Sequence, residues 1–240
     1  MKNFSVQNFI MQHQRRFFLF TGFLLAASEI CKQWYLTFQV NDGAYLWWNF
    51  PFQLCSIAMY ILLALPWVKS QKLRGTLLHF LMCYSLLGGI AAFADTTGMH
   101  YPVLWLTIHS YLWHILLILV GLAAGIIYIS EGYQTRRHSF FYTTLMYLIC
   151  CFLAELINYF VNPFGIINMF YINPHYLMDQ AVFRNLVPYI GNKPAICAYI
   201  AATIVGAWLL HLLWQTQPVS KILQTKTSAA AWLIARGNKS

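Results

Sequence analysis

Charge is what this sequence has least of. Asp and Glu together number 6 in 240 residues, and charged residues of both signs make up only 9% of the chain. Soluble domains carry roughly 25%, so a water-facing globular surface is excluded. Metal and redox spacings are missing too. The cysteines Cys31, Cys55, Cys83, Cys150, Cys151 and Cys197 sit inside apolar runs, and no two form a CxxC pair. That argues against a zinc site or a disulfide scaffold and reads them as small buried hydrophobes. The segment Met1–Arg16 has no small-residue cleavage site, so no cleavable signal peptide is expected. There is no internal repeat, no second domain and no nucleotide or metal motif; no cofactor and no metal are expected.

What is present is apolar length. Hydrophobic residues make up 60% of the chain, gathered in runs of about twenty, the length that crosses a bilayer core of about 30 Å. The runs are continuous, which excludes the alternation of a membrane barrel and leaves helices. The expected fold is all-α, a polytopic transmembrane bundle of six helices spanning about 17–38, 47–68, 76–95, 103–129, 140–162 and 194–214. Residues 163–193 are semi-polar and broken by Pro163, Pro174 and Pro188. They read as a re-entrant or interfacial cap between the fifth and sixth helices, tolerated where protein or water covers the backbone. The chain thus divides into an N-terminal segment 1–16, a six-helix domain 17–215 and a basic tail 216–240 that lies on the membrane surface.

The formal net charge of +9 reads as a topology signal and as contact with anionic headgroups, not as nucleic-acid binding. Lys2, Arg15, Arg16, Lys69, Lys72, Arg74, Arg136, Arg137 and the tail residues Lys221, Lys226, Arg236 and Lys239 fall on one side of the six spans. Only Arg184 and Lys193 fall on the other, with Lys32 inside the first span. Both termini are therefore expected in the cytoplasm, with the chain multi-pass in the plasma membrane.

That topology gives depth. Glu29, then Gln53, Cys55 and Ser56 in Phe50-Pro51-Phe52-Gln53-Leu54-Cys55-Ser56, then His109 and His114, then Glu155, Asn158 and Asn162 all fall in the outer half. Asn168, Asn173, His175 and Asp179 of the cap join them, whereas Thr21, His79 and His211 are isolated in the inner half. Ionisable groups in hydrocarbon cost roughly 2.5–3.5 kcal/mol each on insertion scales and usually face a bundle interior or a wet cavity. An outward-opening polar cavity is the expectation; a structural network fixing helix register is the competing one. Thr107, Ser110, His114, Gly121 and Gly125 share one helical face, so His114 should face the bundle. His109 lies about 140° away on the wheel and should sit at the rim or lipid interface. Cys151, Glu155, Asn158 and Asn162 form a second stripe, and Asn49, Gln53, Ser56 and Tyr60 a third, with Pro51 starting that helix.

The order of these features resembles the YwaF-like family of bacterial integral membrane proteins. That family carries a motif close to L-P-L-H-L-C-S/D-I in its second span; here it reads Phe50-Pro51-Phe52-Gln53-Leu54-Cys55-Ser56-Ile57. Similar elements follow in order: Gly88-Gly89-Ile90, Pro102, His114 with its following aliphatics, Ile157-Asn158, Asn168 to Pro174, and Gly191-Asn192-Lys193-Pro194. The likeness covers about residues 20–215. Gln53 stands where the family has a histidine, and Met169 where it has a tyrosine. Eukaryotic relatives of that family look like membrane acyltransferases that remodel ether phospholipids with a cysteine and a histidine. The resemblance implies Cys55 as nucleophile and His114 as base.

Acyl transfer suits those residue types. A thiol can hold an acyl group as a thioester, provided a base or cation stands beside it. Glu155 or Glu29 would orient the imidazole; Glu155 equally suits a structural partnership with Asn158 or Lys32. Gln53, Asn158 and Asn168 would donate to a developing oxyanion, and with Ser56 and Glu29 they form the expected substrate-binding group. Membrane lipids are the expected partners. Donor, acceptor, transfer versus hydrolysis and oligomeric state stay open. A small-solute transporter, or a lipid-binding or structural membrane protein without covalent chemistry, uses the same cavity differently; the absence of an inverted repeat counts against transport.

Overall fold

In a computed structural model, the structure describes residues 6–133 and 137–215, with side chains over 13–133 and 138–215. Every regular element among them is helical. Helix α1 (Val6–Tyr35) runs on through a π-helical turn at Leu36–Val40. Helix α2 (Leu54–Ala64) ends in a 3-10 turn at Leu65–Trp67, where Pro66 cannot donate to the preceding turn. Helix α3 (Gln71–Phe80), capped by the Ser70 hydroxyl, passes through a π-helical segment (Leu81–Ser85) into α4 (Leu86–Ala94). Helices α5 (Leu104–Ser130) and α6 (Arg137–Val161) follow, then the short α7 (Val187–Ile190) and α8 (Asn192–Gln215).

Four helical stretches are long and apolar enough to cross a membrane: Gln71–Ala94, Leu104–Ser130, His138–Phe164 and Asn192–Gln215. These match the third to sixth expected spans closely. The first two expected spans differ for physical reasons. Helix α1 is long enough, and helical well before residue 17, but Glu29, Lys32 and Gln33 make its second half polar. The second span was expected to start at Pro51. Instead Phe50–Phe52 stay irregular, Gln53 takes the N-cap position in extended conformation (φ −94°, ψ 164°), and the apolar helix covers only Leu54–Trp67. The stripe of Asn49, Gln53, Ser56 and Tyr60 is broken accordingly. Two of its members precede the helix, and the Tyr60 hydroxyl folds back onto the Pro51 carbonyl at 2.9 Å. The tail 216–240, expected at the membrane surface, lies outside the described residues.

The α3–π–α4 element is central, with 61% of its most apolar window buried against 22% for α8. Its π segment is wholly buried and packs against α5, α2 and α8. Close approach at α5 uses glycine. A Cβ on Gly121 would stand 2.7 Å from Leu86 Cβ, and one on Gly125 would run into the Trp214 indole of α8. That indole donates to the Met82 carbonyl at 3.2 Å. The face containing His114, Gly121 and Gly125 therefore points into the bundle.

The bundle has two unlike ends. At one end, where α2 begins and α6 finishes and which is called the cap end after the expected cap, residues 162–191 run as 3-10 turns at Asn162–Phe164, Met169–Tyr171 and Phe183–Asn185 with irregular links. At the opposite end, where α3 begins and α8 finishes, Arg74 pairs with Glu131 through two bonds of 3.0 and 2.8 Å and also reaches Gln14.

Candidate functional site

Cap-end polarity is built around one strained loop. Phe170 (φ 56°) and Tyr171 (φ 59°) lie consecutively in the left-handed region, which costs an L-residue roughly 1–2 kcal/mol. Two amides hold them there. Gln53 donates to the Asn168 carbonyl at 3.0 Å and accepts from the Phe170 N–H at 2.7 Å. Asn158 accepts from the Met169 N–H at 2.7 Å and donates to the Met169 carbonyl at 3.2 Å. Each amide thereby imitates a peptide and satisfies backbone groups that a non-helical segment would leave orphaned. The Asn168 side chain accepts from the Asn173 N–H at 2.9 Å, and Asn173 closes on the Ile167 carbonyl at 2.7 Å. Phe170 fills the space behind, near Phe52 and Tyr147.

The structure thus brings Gln53, Asn158 and Asn168 together, with all their described side-chain hydrogen bonds but the long one from Asn158 to Glu155 spent on this loop. Glu155 stands beside them, accepting from Asn158 at a long 3.4 Å; its neighbour is Asn158 and not Lys32. Asn162, last of the same stripe, accepts from the Tyr176 hydroxyl at 3.1 Å. Holding the loop is also why Gln53 does not cap its own helix. Its backbone carbonyl accepts from the Ser56 N–H at 2.8 Å while its side chain reaches across to the 168–170 segment.

Cys55 sits two positions inside α2, half-buried, beside the buried Ser56. The first turn of a helix carries the positive end of its dipole. His114 lies on α5 at a similar level. The pairing of levels comes from α4: a Cβ on Gly88 would stand 3.9 Å from Leu54, and one on the adjacent Gly89 3.2 Å from the His114 carbonyl. The His114 Nδ1 lies 2.8 Å from the Ser110 carbonyl. A carbonyl can only accept, so Nδ1 carries the hydrogen and a neutral ring keeps its lone pair on Nε2. Among the described residues, no hydrogen bond joins Cys55 to His114.

The two residues share a neighbour that the sequence left as an isolated charge. Lys32 is within electrostatic range of Cys55, His114, His109 and Tyr101. Its ammonium pairs with the buried Glu29 at 2.8 Å. Glu29 also accepts from Gln33 at 2.6 Å, and Gln33 bonds the Asn49 carbonyl. Both partners of the Gln33 nitrogen are acceptors, which fixes the amide orientation and leaves the buried Gln33 Oε1 without a donor. Glu29, Lys32 and Gln33 recur at i, i+3 and i+4, a one-face pattern that marks such a cluster.

His109 departs from expectation. Its Nε2 is buried with no hydrogen-bond partner among the described residues, and Lys32 and Glu29 are within electrostatic range of the ring. Helix α1 packs along that flank of α5, with Tyr35 edge-on to Trp105 at 4.8 Å, so the side of α5 that a single-helix wheel assigns to the rim is covered. Tyr171 belongs to the same strained loop. Burial pushes its phenol up from the ordinary tyrosine range, with Cys55, Tyr199, Asp179 and Tyr101 within electrostatic range of it.

Between α1 and α2 runs an open apolar groove of about 630 Å³, lined by Ala26, Ile30, Phe38, Met59 and Leu63, with Glu29 and Gln33 among its walls. No group of three His, Cys, Asp or Glu side chains among the described residues can hold a metal ion.

Residues 4–214 match the family model described as the TMEM164 family. No curated protein and no solved structure matches the chain. With its several apolar helices long enough to span a bilayer and a family match over most of its length, this chain is a membrane protein of the TMEM164 family.

Proposed function

We propose that this chain is a six-span lipid acyltransferase of YwaF-like character, in which Cys55 carries the acyl group and His114 moves the proton. Helices α1 and α2 are the two additional spans, the 162–191 segment caps the outward face, and both termini lie in the cytoplasm of a plasma membrane. The observation that carries the reading is the arrangement around Lys32. A thiol at a helix start and an imidazole with an available Nε2 lie at one level within electrostatic range of the same half-buried cation.

The Cys55 sulfur attacks the ester carbonyl of a donor lipid while His114 Nε2 takes the thiol proton. The ester C–O bond breaks, the proton passes to the leaving glycerol oxygen, and a lysolipid departs from the thioester. A hydroxyl of the acceptor lipid then attacks the thioester carbonyl, His114 takes its proton, and the thiol is regenerated. If water takes the acceptor's place, the same steps make a lipase. Apo geometry between a nucleophile and its base is often loose and tightens on substrate; the groove beside Glu29 offers the acyl chain an apolar bed. Gln53, Asn158 and Asn168 are positioning residues here, since their amides hold the loop that brings Tyr171 to Cys55. Ser56 supports the thiol from the same turn. Glu29 holds Lys32, and Glu155 orients Asn158.

The same groove supports a second reading, lipid binding without covalent chemistry. Acyl transfer between a labelled phospholipid and a lysolipid by the purified protein separates the two. Activity that falls by at least about 10²-fold in both Cys55→Ser and His114→Ala, with folding intact, supports covalent transfer. Lipid binding that survives both variants, with no transfer by the wild type, supports the second.

A further inference from the structure

The end of the bundle opposite the cap holds a second polar cluster, built in regular helices. His79 on α3 is wholly buried, and its Nδ1 lies 2.9 Å from the Thr143 hydroxyl of α6. Its Nε2 lies 3.0 Å from Nδ1 of His211 on α8. His211 Nε2 in turn lies 2.8 Å from the side-chain nitrogen of Gln215, an exposed residue at the end of α8.

Hydrogen-bond valence fixes every proton in this chain. The Thr143 hydroxyl donates its one hydrogen to the Ser139 carbonyl at 2.9 Å. Toward His79 it can therefore only accept, so His79 Nδ1 carries a hydrogen and a neutral His79 accepts at Nε2. His211 must then donate from Nδ1 and accept at Nε2 from the Gln215 amide. All the bonds run one way, from the exposed end of α8 to the interior of α6, and bonds so aligned polarise one another.

That order leaves one place for a further proton. Both Nδ1 atoms already carry hydrogen. A proton on His79 Nε2 would set two N–H groups face to face across 3.0 Å. His211 Nε2 can accept one if the Gln215 amide turns to present its oxygen, and Gln215 is the exposed member of the chain. Two imidazolium rings would stand side by side, so the pair holds one charge at most.

The surroundings bear on that charge. Phe140 of α6 places its ring 5.2 Å from that of His211, close enough for a cation–π contact. From the π-helical segment that follows α3, Cys83 lies 4.0 Å from His79 Nε2, and from α5 the Tyr128 ring lies 5.4 Å from that of His79. Glu131, a carboxylate at this end, is paired with Arg74.

We propose that the His79–His211 pair is a proton-binding site at the end of the bundle opposite the cap, taking one proton on His211 Nε2 with the Gln215 amide turning to receive its hydrogen bond. Nothing in this depends on acyl transfer at Cys55. Its reach is the joint between α8 and α3, because α8 buries little else there than His211 and the Trp214 contact.

Ring-¹⁵N NMR of histidine-labelled full-length protein in detergent micelles, from about pH 8 to about pH 5, tests the site. The expected result is one ring that changes from the Nδ1–H neutral form to imidazolium, is missing in His211→Asn, keeps its response in Gln215→Glu and loses it in Gln215→Leu, while His79 keeps its neutral form throughout. Gln215 is exposed, so Gln215→Leu reads the site even if His211→Asn fails to fold. A His211 ring that stays neutral across the range in the wild type overturns the proposal. So does a response that is unchanged in Gln215→Leu.

Discussion

The two ends of this bundle use buried polar side chains in opposite ways. At the end opposite the cap His79, His211, Thr143 and Gln215 all lie on helices, and they bond chiefly to one another. At the cap end the chain leaves helical geometry inside an apolar setting, and Gln53, Asn158 and Asn173 are spent on the backbone of 167–170. The Gln53 and Asn158 amides therefore act here as substitute peptides. The loop leaves over Cys55, His114 Nε2, His109 Nε2 and Gln33 Oε1 at the cap end.

The comparison breaks most sharply at charge. Lys32→Met strands the buried Glu29 carboxylate and should cost about 3–5 kcal/mol. Thermal unfolding in detergent reads this as the largest fall in midpoint of the set, partly restored in the double variant Lys32→Met/Glu29→Leu. Next, Gln53→Leu leaves the Asn168 carbonyl and Phe170 N–H unpaired, at about 1–3 kcal/mol for each buried group. The loss should be local: protease cleavage within 163–193 should rise together with the fall in midpoint, and combination with Asn158→Leu should be non-additive because both grip one loop. His79→Phe leaves the His211 Nδ1–H without an acceptor and should lower the midpoint by a comparable amount with no change in cleavage within 163–193. Equal sensitivity of that segment to Gln53→Leu and His79→Phe would erase the distinction between the ends.

The smallest effect belongs to Asp95, partly exposed just beyond α4. The Thr97 hydroxyl donates to it at 2.6 Å and the Thr97 N–H at 3.1 Å, which holds its carboxyl below the ordinary aspartate range. The folded state therefore favours the carboxylate. That contribution is present above the ordinary aspartate value and is lost as pH falls through the lowered folded one. Asp95→Asn should flatten this acid-side dependence in unfolding measured against pH, and leave neutral-pH behaviour nearly unchanged.

Much of this architecture is legible from apolar run length alone, because a span of twenty apolar residues has no alternative to helix. The third to sixth spans match within a few residues. The first two do not, because Glu29, Lys32 and Gln33 dilute one and a long-range interaction truncates the other: nothing local to Pro51 or Gln53 says that this side chain bonds to residues 168 and 170. The stripe from Cys151 to Asn162 is legible because it follows a single helix. His109 was misplaced because a wheel describes one helix and cannot know that α1 covers that flank. The His79–His211 contact joins residues 132 positions apart, so each looked solitary in the sequence.

The central claim is that Cys55 becomes acylated. Its most direct test is the intact mass of the purified protein after incubation with a long-chain phospholipid and rapid acid quench. The account predicts one added acyl mass that hydroxylamine removes, maps to the peptide containing Cys55, and falls strongly in His114→Ala. Lipid transfer that persists in Cys55→Ala, with no adduct on the wild type, would contradict it.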